Sequence, residues 1–213
     1  YGTMDDYLQN TFQLKRITAG NIVLSFALMN IFARTLGGFF GDKFGKLYGL
    51  RGRILFLALI LCLEGIMLSI FSQTTVLSLG IMFLVALWLT VQMAEGATFS
   101  VVPFINKKGV GAISGIVGAG GNVGAFLAAI FLKSKSAIAE KAAIAANKGL
   151  EQETVETARS VAAASAVSDG YLVIGIIIVV ISMVVMTIRI SPAAKQATFH
   201  KIKKRLAFVF SNK

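Results

Sequence analysis

The chain has 213 residues, 56% of them hydrophobic and only 15% charged, with a formal net charge of +11 and a mean hydropathy of +0.77. This balance excludes an ordinary soluble domain and describes a membrane protein. One cysteine, Cys62, in an apolar run excludes an intrachain disulfide, and one histidine, His200, in a basic tail leaves no basis for a His-built metal or catalytic centre.

The chain opens at Tyr1 with neither Met nor a signal pattern, and it reads as a fragment that lacks its amino-terminal part. Residues 1–18 read as an outer loop and the end of a truncated span. Crossing a bilayer core as helix takes about 20 apolar residues. Five stretches qualify: Ala19–Phe40, Ile54–Ser72, Val76–Val101, Val110–Leu132 and Gly170–Ile188. No ten-residue segments of alternating polarity recur, which disfavours a β-barrel. The first four spans fill residues 19–132. Residues 133–169 are rich in alanine with mixed charges and predict an outer-face helical loop. The last span covers 170–190, and 191–213 form a basic tail. In that tail Phe199, Ile202, Leu206 and Val209 recur at helical spacing among lysines and an arginine, which fits either an amphipathic helix on anionic lipid or a merely positive-inside tail.

Charge sets the expected orientation. The flanks Gly41–Arg53, Val102–Gly109 and the tail from Arg189 hold 13 basic residues against one acid, Asp42. The opposite flanks, Tyr1–Thr18 and Lys133–Asp169, hold seven of each sign. The positive-inside rule then places the 41–53 loop and the carboxy terminus in the cytoplasm. Most of the basic excess is topological, so no nucleic-acid partner is implied.

Three polar features interrupt the spans. Arg34 lies within the first, where an insertion scale assigns a charge a penalty of about 2.5–3.5 kcal/mol. Its guanidinium is a planar fork of donors suited to a planar oxyanion. The alternative is that it snorkels to the nearby interface. Asn30 precedes it by one turn on the same face. Glu64 and Glu95 sit in apolar sequence, each a candidate for binding and releasing protons or for pairing with a polar neighbour. Residues Gly111–Gly124 read GAISGIVGAGGNVG, six glycines in fourteen residues. Gly111/Gly115 and Gly120/Gly124 have the spacing for close helix packing. That packing leaves Asn122 unexplained, because an amide in lipid needs a partner. No span presents a His–acid, Ser–Lys or paired-Asp constellation, so an enzyme is not expected. No cofactor is implied.

Two motifs resemble a known family. GFFGDKFGK, with Gly38, Asp42, Lys43, Gly45 and Lys46, is similar to the cytoplasmic loop signature of the major facilitator superfamily. GAGGNVGAF, with Gly115 before it and Gly118, Gly120, Gly121 and Gly124 within it, resembles the signature of the nitrate/nitrite porter family. The run MNIFARTLGGFFGDKFG looks like the second-half segment of eukaryotic high-affinity nitrate transporters. The resemblance implies an all-α membrane protein: the carboxy-terminal part of a twelve-span transporter, with five transmembrane helices here. It implies nitrate, and by extension nitrite, as substrate, with protons as coupling ion. It also implies the plasma membrane and a small accessory membrane protein as partner. Arg34 and Asn122, with Asn30, then become substrate-binding residues, and the 38–46 loop a cytoplasmic gate. Two other readings stay open: a superfamily porter of another small anion or solute, and a non-transporting membrane receptor or scaffold.

Overall fold

The computed structural model describes Gln9 and residues 14–105, 108–149 and 151–188. The basic tail with its amphipathic pattern, Lys107, and the first thirteen residues apart from Gln9 lie outside the described residues. The described residues form four helices in chain order: α1 (Arg16–Ser72), α2 (Leu77–Ile105), α3 (Val110–Ala146) and α4 (Gln152–Thr187). All four contain a stretch long and apolar enough to cross a membrane. Helix is the expected outcome for such sequences, because lipid offers the backbone no hydrogen-bond partners and a helix satisfies them internally.

At 57 residues, α1 is too long for one crossing, since a straight helix of that length would run about 85 Å. It folds back at Gly49, whose φ of 66° and ψ of −150° break the helix. A positive φ is open to glycine because it lacks Cβ. The Phe44 and Phe56 rings stack at 5.2 Å, and Phe40 lies 6.2 Å from Phe56. In an unbroken helix Phe44 and Phe56 would stand about 18 Å apart. Residues 16–48 and 50–72 are therefore antiparallel arms, and the four helices supply five apolar passes, as expected. The expected loop across 38–46 is corrected: those residues are helical, and the chain reverses three residues beyond Lys46.

Asp42 and Arg53 close this reversal as an ion pair between the arms. Arg53 also sits 4.4 Å above the Phe104 ring of α2, and its side chain passes where a Cβ on Gly45 would lie. With its side chain only 11% exposed, Arg53 ties three segments together, while Asp42 is 59% exposed and can turn to water. Arg53→Leu is expected to lower stability by about 1–2 kcal/mol, combining a partly solvated ion pair with a cation–π contact. A fall in melting temperature in detergent would register it, and Asp42→Asn should shift it less.

Packing is uneven. α1 packs on α2 and on α4, α3 packs on α4, and α2 barely touches α3. One apolar cluster joins Ala19, Leu68 and Phe71 of α1 with Leu84 and Leu87 of α2, Leu132 of α3, and Val167 and Tyr171 of α4. Phe71 and Leu84 are fully buried there. A second cluster, nearer Gly49, holds Phe56, Ile60, Ala94 and Ala97. At the far end of α1 the Ser168 hydroxyl donates to the Ser72 carbonyl, pinning α4 to it. In lipid such seams are held by packing and interhelical hydrogen bonds rather than by exclusion of water.

Residues 133–146 and 152–169 continue α3 and α4 as an antiparallel helical hairpin, turned at 147–149, where Gly149 has φ 103°. Arg159 clamps it, donating from Nε to Glu140 at 2.9 Å and pairing with Glu156 on its own helix. The Glu140 hydrogen bond, with the charges of Glu140 and Glu156, raises the Arg159 pKa and keeps it cationic. The helical reading of this segment from its alanine content agrees with what is seen.

Candidate functional site

Arg34 is held where α1 crosses α2 at very short range. A Cβ on Gly96 would lie 2.0 Å from the Arg34 carbonyl oxygen, and one on Gly37 would lie 2.1 Å from that of Met93. Neither position can carry a side chain without moving backbone. The crossing is built from small residues one turn apart, Gly37 and Gly41 on α1 and Gly96 and Ser100 on α2, as small-xxx-small packing requires. The sequence reading missed this pattern, although Gly37-xxx-Gly41 carries the same spacing as the glycines it singled out on α3.

The close crossing brings charges together. Arg34 Nη2 forms an ion pair with the Glu95 carboxylate and donates to Gln92 Oε1 at 3.3 Å. Gln92 is buried, while the Arg34 and Glu95 side chains are 50% and 41% exposed. Both of Arg34's hydrogen bonds among the described residues come from Nη2, which leaves Nε and Nη1 for another acceptor. Arg34 therefore has its counter-charge from a neighbouring helix. Asn30, one turn earlier, has its Oδ1 buried with no hydrogen-bond partner among the described residues. A buried amide atom in that state is a place for a further polar group.

The other expected residues stand apart. Asn122 lies on an exposed part of α3 and makes no contact with Arg34 among the described hydrogen bonds. Gly111, Gly115, Gly118, Gly120, Gly121 and Gly124 have nothing within 4 Å of an added Cβ. Gly111/Gly115 and Gly120/Gly124 thus make no close packing with another described helix. In the far half of α3 Leu132 meets Gly170 of α4, whereas the glycines nearer its start meet no described neighbour. Glu64, on the returning arm of α1, is half-buried and has no hydrogen bond or ion pair among the described residues. Of the 38–46 residues, Asp42 and Gly45 engage Arg53, while Lys43 and Lys46 are exposed. No cluster of potential metal ligands occurs among the described residues.

Apolar helices of spanning length, exposed hydrophobic faces and an arginine–glutamate pair inside the spans define a multi-pass membrane protein with a charged centre. Comparison with known proteins narrows the class. The chain is 40% identical over 132 residues to the high affinity nitrate transporter 2.5 of Arabidopsis thaliana, covering 62% of this chain and 26% of that protein. It is 38% identical over 121 residues to nitrate transporter 2.2 of Chlamydomonas reinhardtii, covering 56% of this chain and 24% of that protein. It is 35% identical over 119 residues to the nitrate/nitrite transporter NrtP of a Picosynechococcus strain, covering 56% and 22%. The chain spans about a quarter of the length of these curated relatives. No family model and no solved structure matches it. The resemblance to the nitrate/nitrite porter family holds over the residues matched, and the relatives are transporters rather than enzymes.

Proposed function

We propose that this chain is the carboxy-terminal part of a nitrate importer, carrying nitrite as well, driven by protons and working by alternating access in the plasma membrane. The observation that supports this reading most is Arg34: a fork of donors, half of it open, inside the spans of a chain similar to nitrate transporters. Arg34 would form half of a positive clamp on the anion, completed by a segment beyond this chain. Asn30 and Asn122 would position the anion by hydrogen bonds. Gly115, Gly118, Gly120, Gly121 and Gly124 would let α3 approach the anion and slide as the two halves rock. Asp42, Lys43 and Lys46, with Gly38 and Gly45, would gate a cytoplasmic side that also holds the carboxy terminus. A small accessory membrane protein would assist the assembly.

The test is uptake of labelled nitrate into sealed vesicles that carry the full-length transporter. Accumulation above the outside concentration under an inward proton gradient, abolished by a protonophore, is the expected result. Binding without accumulation would instead identify a receptor or scaffold. Stronger competition by another small anion than by unlabelled nitrate would identify a porter of that anion.

A further inference from the structure

The geometry points to Glu95 as a tethered counter-anion: the small anion that Arg34 accepts and one proton for Glu95 enter the site together. This rests on the reading of Arg34 as the anion-binding residue and adds the partner that sets its charge. Arg34 and Glu95 neutralise each other across the Gly37–Gly96 crossing. An anion arriving at the free Nε and Nη1 would share one guanidinium with the Glu95 carboxylate, whatever positive group completes the clamp. Like charges this close disfavour each other's ionised forms. That repulsion is relieved if the carboxylate takes a proton from water as the anion docks on Arg34. The balance is then Glu95–COO⁻·Arg34⁺ plus anion⁻ plus H⁺, giving Glu95–COOH and Arg34⁺·anion⁻, with zero net charge on both sides. Gln92, buried one turn before Glu95, keeps hold of Nη2 through the exchange.

The surroundings leave this task to Glu95. From α1 it is Arg34 that faces it, and its own helix offers the uncharged Gln92. Elsewhere on α1, Asp42 is two turns further on and engaged with Arg53, and Glu64 lies on the other arm. α3 carries no ionisable residue from Val110 to Leu132, and α4 has no acidic or basic residue from Gly170 to Thr187. Among the described residues no second acid is placed to take the proton.

The experiment measures nitrate affinity from pH 5.5 to 8.5, and protons taken up per nitrate bound, on the purified full-length protein. For the native protein the affinity should fall by about tenfold per pH unit wherever the pair is ionised, with about one proton taken up per nitrate. Glu95→Gln keeps the shape and removes the charge. It should bind nitrate with an affinity that does not change with pH and without proton uptake, and its vesicles should exchange nitrate without concentrating it. Glu95→Asp, which retains the carboxylate, should restore proton uptake. Proton uptake in a folded Glu95→Gln protein equal to that of the native protein overturns the proposal. So does loss of all binding in Glu95→Gln when gel filtration shows it folded. If the native protein binds no nitrate at any pH, the nitrate reading fails, and nitrite and chloride are tried in the same assay. Proton uptake with either supports the exchange at Glu95, and its absence with both overturns it.

Discussion

Arg34→Ala is expected to abolish saturable nitrate uptake by the full-length transporter. Truncating one partner of a hydrogen-bonded charge pair with an anion forfeits about 2–5 kcal/mol of binding. Uptake at concentrations that saturate the native protein should then fall to the leak. The same change strips Glu95 of its counter-charge, so lost uptake could reflect lost folding. The pair Arg34→Ala with Glu95→Gln separates the two, because it leaves no unpaired charge in the span. It should restore surface expression and leave uptake absent. Arg34→Lys should also be defective, since an ammonium lacks the planar fork that can hold Glu95, Gln92 and an anion at once. Near-normal uptake by a surface-expressed Arg34→Ala protein would remove Arg34 from the site.

The second large effect belongs to a residue with no chemistry. Gly96→Ala puts a methyl group 2.0 Å from the Arg34 carbonyl oxygen, a backbone atom that cannot rotate away. The helices must separate, and overpacking of this kind costs about 1–3 kcal/mol or more. Gly37→Ala meets the Met93 backbone in the same way. Both variants should show reduced yield of folded protein and a lower melting temperature in detergent. A separation of α1 and α2 also pulls Arg34 from Glu95, so the surviving fraction should bind anions with altered pH dependence. Gly115→Ala and Gly120→Ala serve as controls for yield and melting temperature alone, because an added Cβ there meets nothing in the described structure. Normal stability in Gly96→Ala would show that the crossing is looser than a 2.0 Å approach requires.

The contrast between these glycines marks how far the sequence could be read. The membrane class, the five apolar passes and the helical hairpin of 133–169 follow from run length and composition, because burial in lipid acts on each segment separately. Arg34, Glu95 and Asp42 could be singled out for the same reason: a charge within or beside an apolar run demands an explanation wherever its helix goes. Their partners could not be read. The sequence left Arg34 between an anion and the interface, and it left Glu95 among unspecified neighbours. They lie 61 positions apart and meet through two glycines whose importance depends on which helices touch. The dense glycine run of α3 gave the stronger one-dimensional signal, yet in this chain its face is open, while Gly37 and Gly96 drew no notice and make the tightest contacts. By itself the sequence determined that this protein lies in a membrane as helices, and which side chains are anomalous there, because hydropathy and chain length are local. Only the tertiary structure decided that α1 reverses at Gly49 and that α1 and α2 cross backbone to backbone. It also decided that Arg34 is neutralised by Glu95, because packing distance and charge pairing are properties of two helices together.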